Sequence, residues 1–340
     1  MSTSHQQSAP APSPHPAPTT DGPDPLAQAS EAARRLVDAV CHVVRGSEST
    51  IRLVTCALLA GGHVLVEDLP GTGKTTMARA FARSIGGTFA RVQATADLMP
   101  ADITGSGIWE PAHGGFRFVA GPVFVNVLVI DELNRTSPRT QSAFMEALDE
   151  GAITVDGVRH ALPDPFFALA TQNPGEQHGT FPLPEGELDR FAVAVGLGTL
   201  DLRTELDVVR EQLVRPTVDD LPPVLSPDQL RSVRAAVRTT HVSEPVLTHA
   251  VQLARATRSD PRVVHGVSSR AALSLVRTAQ AHAVLQGRAF VTPDDTKAVA
   301  VAALAHRLVL RGSGSERTAA VALVEDLLGR LPVPLAPTDS

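Results

Sequence analysis

The chain has 340 residues, 43% of them hydrophobic, and a net charge of -6. That length allows about two domains with real cores, and the acidic balance leaves no global electrostatic footprint for nucleic acid. No apolar run approaches the roughly 18–20 residues of a membrane-spanning helix. The N-terminus also lacks the basic-then-apolar order of a signal peptide, so a cytosolic protein is expected. The charge is uneven. Residues 26–224 carry 16 basic and 25 acidic side chains, and residues 225–335 carry 14 and 8. The second half fits either an acidic neighbour, such as the acidic half of another subunit, or an ordinary solvated face. Cys41 and Cys56, the two cysteines, lie in apolar helical surroundings and read as thiols of a reducing compartment.

In chain order, residues 1–25 are mostly Pro, Ser, Thr, Ala and His. Such a segment cannot bury enough surface to offset its ordering entropy and is predicted disordered, as are residues 332–340. Helices are predicted from Leu26 to about Arg45 and from Glu48 to Ala60. Gly61-Gly62 breaks the second, and His63–Val66 reads as a short buried strand. A helix follows from Lys74 to about Ile85, then a strand over Phe89–Gln93. Val125–Ile130 is apolar on both faces, as in a parallel strand covered by helices. Phe166–Ala170 and Phe191–Val195 are further strands. This alternation predicts a parallel α/β sheet over residues 26–222.

Two segments depart from that alternation. Ile108–Val119, around Gly114-Gly115, and Ile153–His160, turning at Asp156-Gly157, are predicted hairpins, with Trp109, Phe116 and Phe118 as hairpin packing. Leu221-Pro222-Pro223 reads as a linker. After it only helices are predicted, near 226–238, 244–258, 268–285, 293–305 and 316–329. Ser226-Pro227-Asp228 and Thr292-Pro293-Asp294 each place a cap before a proline at the first helical position. Residues 223–331 therefore form a smaller all-α domain. The twelve histidines are scattered without zinc spacing.

The chemistry centres on Lys74, one of two lysines among 30 basic residues. It lies in Asp68-Leu69-Pro70-Gly71-Thr72-Gly73-Lys74-Thr75-Thr76, entered from an apolar strand and opening a helix. Glycines let backbone N–H groups converge on phosphate oxygens, the lysine reaches the outer phosphates, and the Thr75 hydroxyl can ligand Mg²⁺. The helix N-terminus adds its dipole. Val127–Ile130 then delivers Asp131 and Glu132 to a strand's C-terminal end, where ligands bind in open α/β sheets. Asp131 is placed to orient water on Mg²⁺ and Glu132 to polarise the hydrolytic water. Ala170-Thr171-Gln172-Asn173-Pro174 ends the next strand with an amide for the γ-phosphate or the attacking water, or simply with a turn-forming Asn-Pro.

These motifs, with Asp131-Glu132-Leu133-Asn134-Arg135 and Phe181-Pro182-Leu183-Pro184-Glu185 through Leu188-Asp189-Arg190-Phe191, occur in this order. Together they resemble the MoxR family of AAA+ ATPases, and Gly266-Val267-Ser268-Ser269-Arg270-Ala271 and Thr292-Pro293-Asp294-Asp295 extend the resemblance over roughly residues 30–330. The resemblance implies a P-loop core with a helical lid, with ATP held between them and against the next protomer. It implies that Asn173 is the sensor of the γ-phosphate, Arg190 the arginine finger offered to a neighbouring subunit, and Arg270 the second sensor. Arg190 otherwise pairs with Asp189 or Glu187, and Arg270 is otherwise a surface helix residue. The hairpins resemble the helix-2 insert and pre-sensor hairpin, which line a pore or touch clients. The resemblance also implies a homo-oligomeric, hexameric ring. The ring's chaperone-like work on an unnamed client, which includes cofactor or metal insertion, would involve a protein with a von Willebrand factor A domain.

Two departures stand out. Asp68 occupies the position of the first P-loop glycine, and a carboxylate beside triphosphate is unfavourable unless it points away. Val44-Arg45-Gly46-Ser47 replaces the family's Val-Gly-Gln near the adenine. Two rival readings stay open: a low-turnover ATP-gated switch, and a nucleic-acid motor, against which the acidic core argues.

Overall fold

The computed structural model describes residues 24–68, 71–173, 179–198, 201–214, 218, 220–312 and 316–333. Leu69, Pro70 and nearly all of both tails lie outside the described residues. The first elements are α1 (Pro25–Val43), α2 (Glu48–Ala60), β1 (His63–Glu67), α3 (Lys74–Ser84) and β2 (Phe89–Gln93). Next come α4 (Pro100–Thr104), β3 (Gly105–Glu110), β4 (Gly115–Ala120), β5 (Val127–Asp131), α5 (Pro138–Glu150), β6 (Ala152–Val155) and β7 (Val158–Ala161). The α/β part ends with β8 (Phe167–Gln172), α6 (Glu185–Leu188), β9 (Phe191–Val195) and α7 (Leu202–Val214). The remainder is α8 (Pro227–Thr239), α9 (Glu244–Ser259), β10 (Val263–His265), α10 (Ser269–Leu285), α11 (Pro293–Leu304), β11 (Val309–Leu310) and α12 (Glu316–Arg330).

The central sheet has the order β2-β5-β8-β1-β9 and is parallel throughout. Strand pleating sends alternate residues to opposite faces. Val64 and Val66 join the core formed by α1, α2 and α3, and Leu65 joins the core under α5. Both faces are therefore covered, which is why these strands read as unbroken apolar runs. In that order the connection from β1 runs to β2 on one side, while the connection from its neighbour β8 crosses to β9 on the other. That switch point is where such sheets open a crevice.

Both predicted hairpins form. In β6–β7, Asp156 and Gly157 have φ of 50° and 78°, the paired left-handed residues of a two-residue turn. In β3–β4, Trp109 packs edge-on against Phe116 at 5.3 Å, yet both remain exposed. Phe118 instead stacks on His160 of the other hairpin at 3.9 Å.

The C-terminal part differs from expectation in one respect. It is mainly helical, but Val263–His265 and Val309–Leu310 pair as a small antiparallel ribbon. Strands of two and three residues leave no readable period. The helix α8 packs its Leu230, Val233 and Val237 into the same core as α1 and α2, while α9 to α12 build a separate one.

That second core encloses Asp295, which is fully buried. Its carboxylate accepts from Arg288 at 2.5 and 2.6 Å, lies 2.6 Å from His282 Nδ1 and accepts from Thr292 N at 2.8 Å. Burial opposes its ionisation, but these partners outweigh burial and hold its carboxyl well below the usual range. A depressed folded-state pKa stabilises above the unfolded value of about 4 and is lost as pH falls below it. We expect Asp295→Ala to lower the unfolding free energy by about 3–5 kcal/mol at neutral pH. Urea unfolding should show the gap to wild type narrowing below about pH 4; a gap that stays constant into acid would contradict this.

Candidate active site

A cleft of about 380 Å³ is lined wholly by residues of the α/β part and opens at the C-terminal ends of the strands. Gly71, Gly73, Lys74, Thr75 and Thr76 form one wall, and Asp131, Glu132, Thr171 and Asn173 the other. Gly71 and Gly73 have φ of 85° and 92°, which only glycine adopts without strain. Gly73 caps α3 and offers no side chain to its first N–H groups, so they stay available to an anion. The Lys74 ammonium donates to the Asp68 carbonyl at 3.2 Å, which bends it back over the loop.

The departure at Asp68 resolves itself. Its carboxylate accepts from Leu197 N at 2.8 Å and Gly198 N at 3.1 Å. The negative charge is spent on the loop after β9, and the backbone carbonyl serves Lys74. A glycine at this position could not anchor that loop.

Asp131 ends β5 nearly buried and pairs with Arg91 of β2 at 2.5 Å. Glu132 follows in left-handed conformation, φ 58° and ψ 47°, a strain of about 1–3 kcal/mol for a non-glycine residue. Its N–H donates to Thr171 Oγ1 at 2.9 Å, which fixes the turn. Its carboxylate accepts from Gln93 Nε2 at 3.2 Å and pairs with Arg135 at 3.1 Å. Sequence reasoning missed Arg91 and Gln93. Parallel pairing of β2 with β5 puts Gln93 opposite Asp131, and pleating puts Arg91 on the same face as Gln93. The oxygen donors of Thr75 and Asp131 beside Lys74 suit a hard cation with a triphosphate.

The two expected arginines lie elsewhere. Phe191 pairs with His63, the first residue of β1, so Arg190 sits at the strands' N-terminal end. One five-residue strand separates it from the phosphate loop, roughly 16 Å at 3.3 Å per residue. Among the described residues the Arg190 guanidinium forms its ion pair with Asp149, near the end of α5, rather than with Asp189 or Glu187. Arg270 pairs with the same carboxylate. Burial raises the Asp149 pKa, but hydrogen bonds from Arg270 and Arg190 override it and hold the carboxyl below its usual range. Arg270, expected as the second sensor, is not among the residues that line the chain's own cleft.

A phosphate loop opening a helix, an acidic strand end and a helical C-terminal part together define a P-loop nucleoside triphosphatase of the AAA type. A model of the "ATPase family associated with various cellular activities (AAA)" matches residues 63–193, and a model of the AAA lid domain matches residues 255–327. The chain is 40% identical over 302 residues to the uncharacterized YeaC protein of Bacillus subtilis, covering 88% of this chain and 94% of that one. It is 33% identical to Chaperone MoxR1 of Mycobacterium tuberculosis, covering 87% and 80%. It is 30% identical to Protein MoxR of Methylorubrum extorquens, covering 88% and 93%. A crystal structure of a Cytophaga hutchinsonii protein assigned as an ATPase superposes with a TM-score of 0.82 at 32% identity, covering 91% and 97%. The chain belongs to the MoxR family of AAA+ ATPases. Membership implies nucleotide binding, usually with Mg²⁺, and ATP hydrolysis in general. Among the described residues no helix is long and apolar enough to cross a membrane.

We expect Lys74→Ala to weaken binding of a fluorescent ATP analogue about 100-fold, the loss of one or two charge-assisted hydrogen bonds. The unfolding temperature should not move, because Lys74 contributes no core contact. Unchanged affinity would remove the lysine from the nucleotide site.

Proposed function

We propose that this chain hydrolyses ATP to ADP and phosphate at a site completed between copies, and that the resulting motion remodels a client protein. The observation that supports this reading most is the pairing of Arg190 and Arg270 on Asp149, one strand-length from the chain's own phosphate loop. Phosphoryl transfer spreads negative charge over the transferring oxygens, and a planar guanidinium stabilises it. A second copy could present this pair to the cleft that lacks it. Asp149 then acts as a rest for the two guanidiniums, keeping them oriented until a stronger anion replaces it.

Within the cleft, Lys74 and the α3 N-terminus would hold the triphosphate, and Asn173 would hydrogen-bond its γ-phosphate or the attacking water. Thr75 and Asp131 would hold a magnesium ion, which supplies charge neutralisation at the phosphate oxygens. Glu132 would polarise water once freed from Gln93 and Arg135. A closed ring, with six copies as the family's implied number, satisfies every interface at once. The name of the mycobacterial relative, Chaperone MoxR1, supports a maturation role, with cofactor or metal insertion among the tasks. A protein with a von Willebrand factor A domain is the partner class. The tethered Glu132 also favours a second reading, an ATP-gated switch of low turnover.

Two variants test the composite site. Glu132→Gln should retain ATP affinity and lose turnover by about 10²–10⁴-fold. Arg190→Ala should lose about 10³–10⁵-fold, again without losing affinity. Mixing the two inactive proteins should restore turnover, because an intact Glu132 then faces an intact Arg190. A mixture as inactive as its components would refute the shared site. Basal hydrolysis that is already negligible, with client function intact in Glu132→Gln, would favour the switch.

A further inference from the structure

The helical part grips the sheet at both ends of its strands, through two arginines ten residues apart in sequence. At the C-terminal end, Arg317 near the start of α12 pairs with Glu67, the last residue of β1, and donates to the Ala194 carbonyl at 3.2 Å. The other Glu67 oxygen accepts from Gln172 Nε2 at 2.6 Å. Gln172 directly precedes Asn173, and Glu67 directly precedes Asp68, whose carbonyl holds Lys74. The Glu67 side chain is 10% exposed, so its charge requires a partner. One side chain from α12 thus reaches the end of β1 directly and, through Glu67, the end of β8.

At the opposite end, Arg307 is 6% exposed. Its Nε lies 2.9 Å from Asp189 Oδ1, and its Nη2 donates to the carbonyls of Asp189 at 3.2 Å and Phe191 at 2.6 Å. Those are the residues on either side of Arg190. Asp189 also accepts from Ser268 Oγ at 2.8 Å. The backbone that aims Arg190 is therefore held by the helical part, and α12 packs against the short turn that carries Arg307.

Electrostatics gives the linkage a direction. A triphosphate adds negative charge beside Glu67 and draws the Arg317 guanidinium more strongly toward the cleft. Hydrolysis and phosphate release remove that pull. We propose that Arg317 and Arg307 are positioning residues. Arg317 ties the helical part to the state of its own cleft through Glu67 and Gln172, and Arg307 passes that state to Arg190, which serves the next copy. The proposal rests on the composite-site reading above and names the side chains through which one cleft bears on the arginine offered to the next copy.

The test uses the full chain and reads three quantities: affinity for a fluorescent ATP analogue, turnover, and the Hill coefficient of turnover against ATP. Wild type should give a Hill coefficient above about 1. Arg317→Ala should keep affinity within about threefold, lower turnover about tenfold and bring the Hill coefficient to about 1. Arg317→Lys, which keeps the charge, should recover cooperativity. Glu67→Gln, which removes the ion pair without changing the side chain's volume, should behave like Arg317→Ala and serves if that variant does not fold. Wild-type cooperativity in Glu67→Gln, or a non-cooperative wild type, would overturn the proposal. A failure here is separable from failure of the composite site. If the Glu132→Gln and Arg190→Ala mixture regains turnover while Glu67→Gln stays cooperative, only the relay is wrong.

Discussion

The polarity of one parallel sheet constrains everything else in this molecule. Five strands run the same way, so they share one C-terminal edge and one N-terminal edge. Asp131 ends a strand, the phosphate loop, Glu132 and Asn173 follow strand ends, and all gather at the first edge. Arg190 precedes β9 and belongs to the second edge, and no local rearrangement brings it around the sheet. A shared carboxylate, Asp149, collects Arg190 and Arg270 there. On the function proposed above, the phosphate loop of one copy and the arginine pair of another would be combined where two copies meet.

The cleft itself is held in a restrained state. Asp131 is neutralised by Arg91, and Glu132 is engaged by Gln93 and Arg135 while its backbone sits in the left-handed region. Each contact is a modest charge-assisted bond of about 1.5–3 kcal/mol. A phosphate group or a neighbour's guanidinium can compete at that scale. Asp68 shows the same economy at the loop: its carboxylate accepts two backbone N–H groups of the loop after β9. An acidic residue is thereby tolerated where glycine is usual.

Much of the architecture could be read from the sequence because its causes are local. Runs such as Val127–Ile130 must be buried on both faces, Asp156-Gly157 supplies the left-handed pair of a hairpin turn, and Ser226 and Thr292 are capping residues before proline. The phosphate loop and the acidic strand end were legible for the same reason: their chemistry is carried by neighbours in sequence. What escaped was long-range. Asp149 meets Arg270 across 121 residues and Arg307 meets Asp189 across 118. Such pairs leave no periodicity. Arg91 and Gln93 were readable in principle, since strand β2 had to share the edge of β5, but the side chains gave no motif of their own. The β10–β11 ribbon was too short to alternate. Arg270 was identified as a functional candidate from its motif, yet its edge of the sheet was fixed only by the fold.

The most direct measurement is turnover per chain across a dilution series of the purified protein, with particle mass followed by light scattering at each concentration. A site completed by a second copy predicts that turnover per chain collapses as the assembly separates into single chains. Constant turnover per chain down to the monomer would contradict the account.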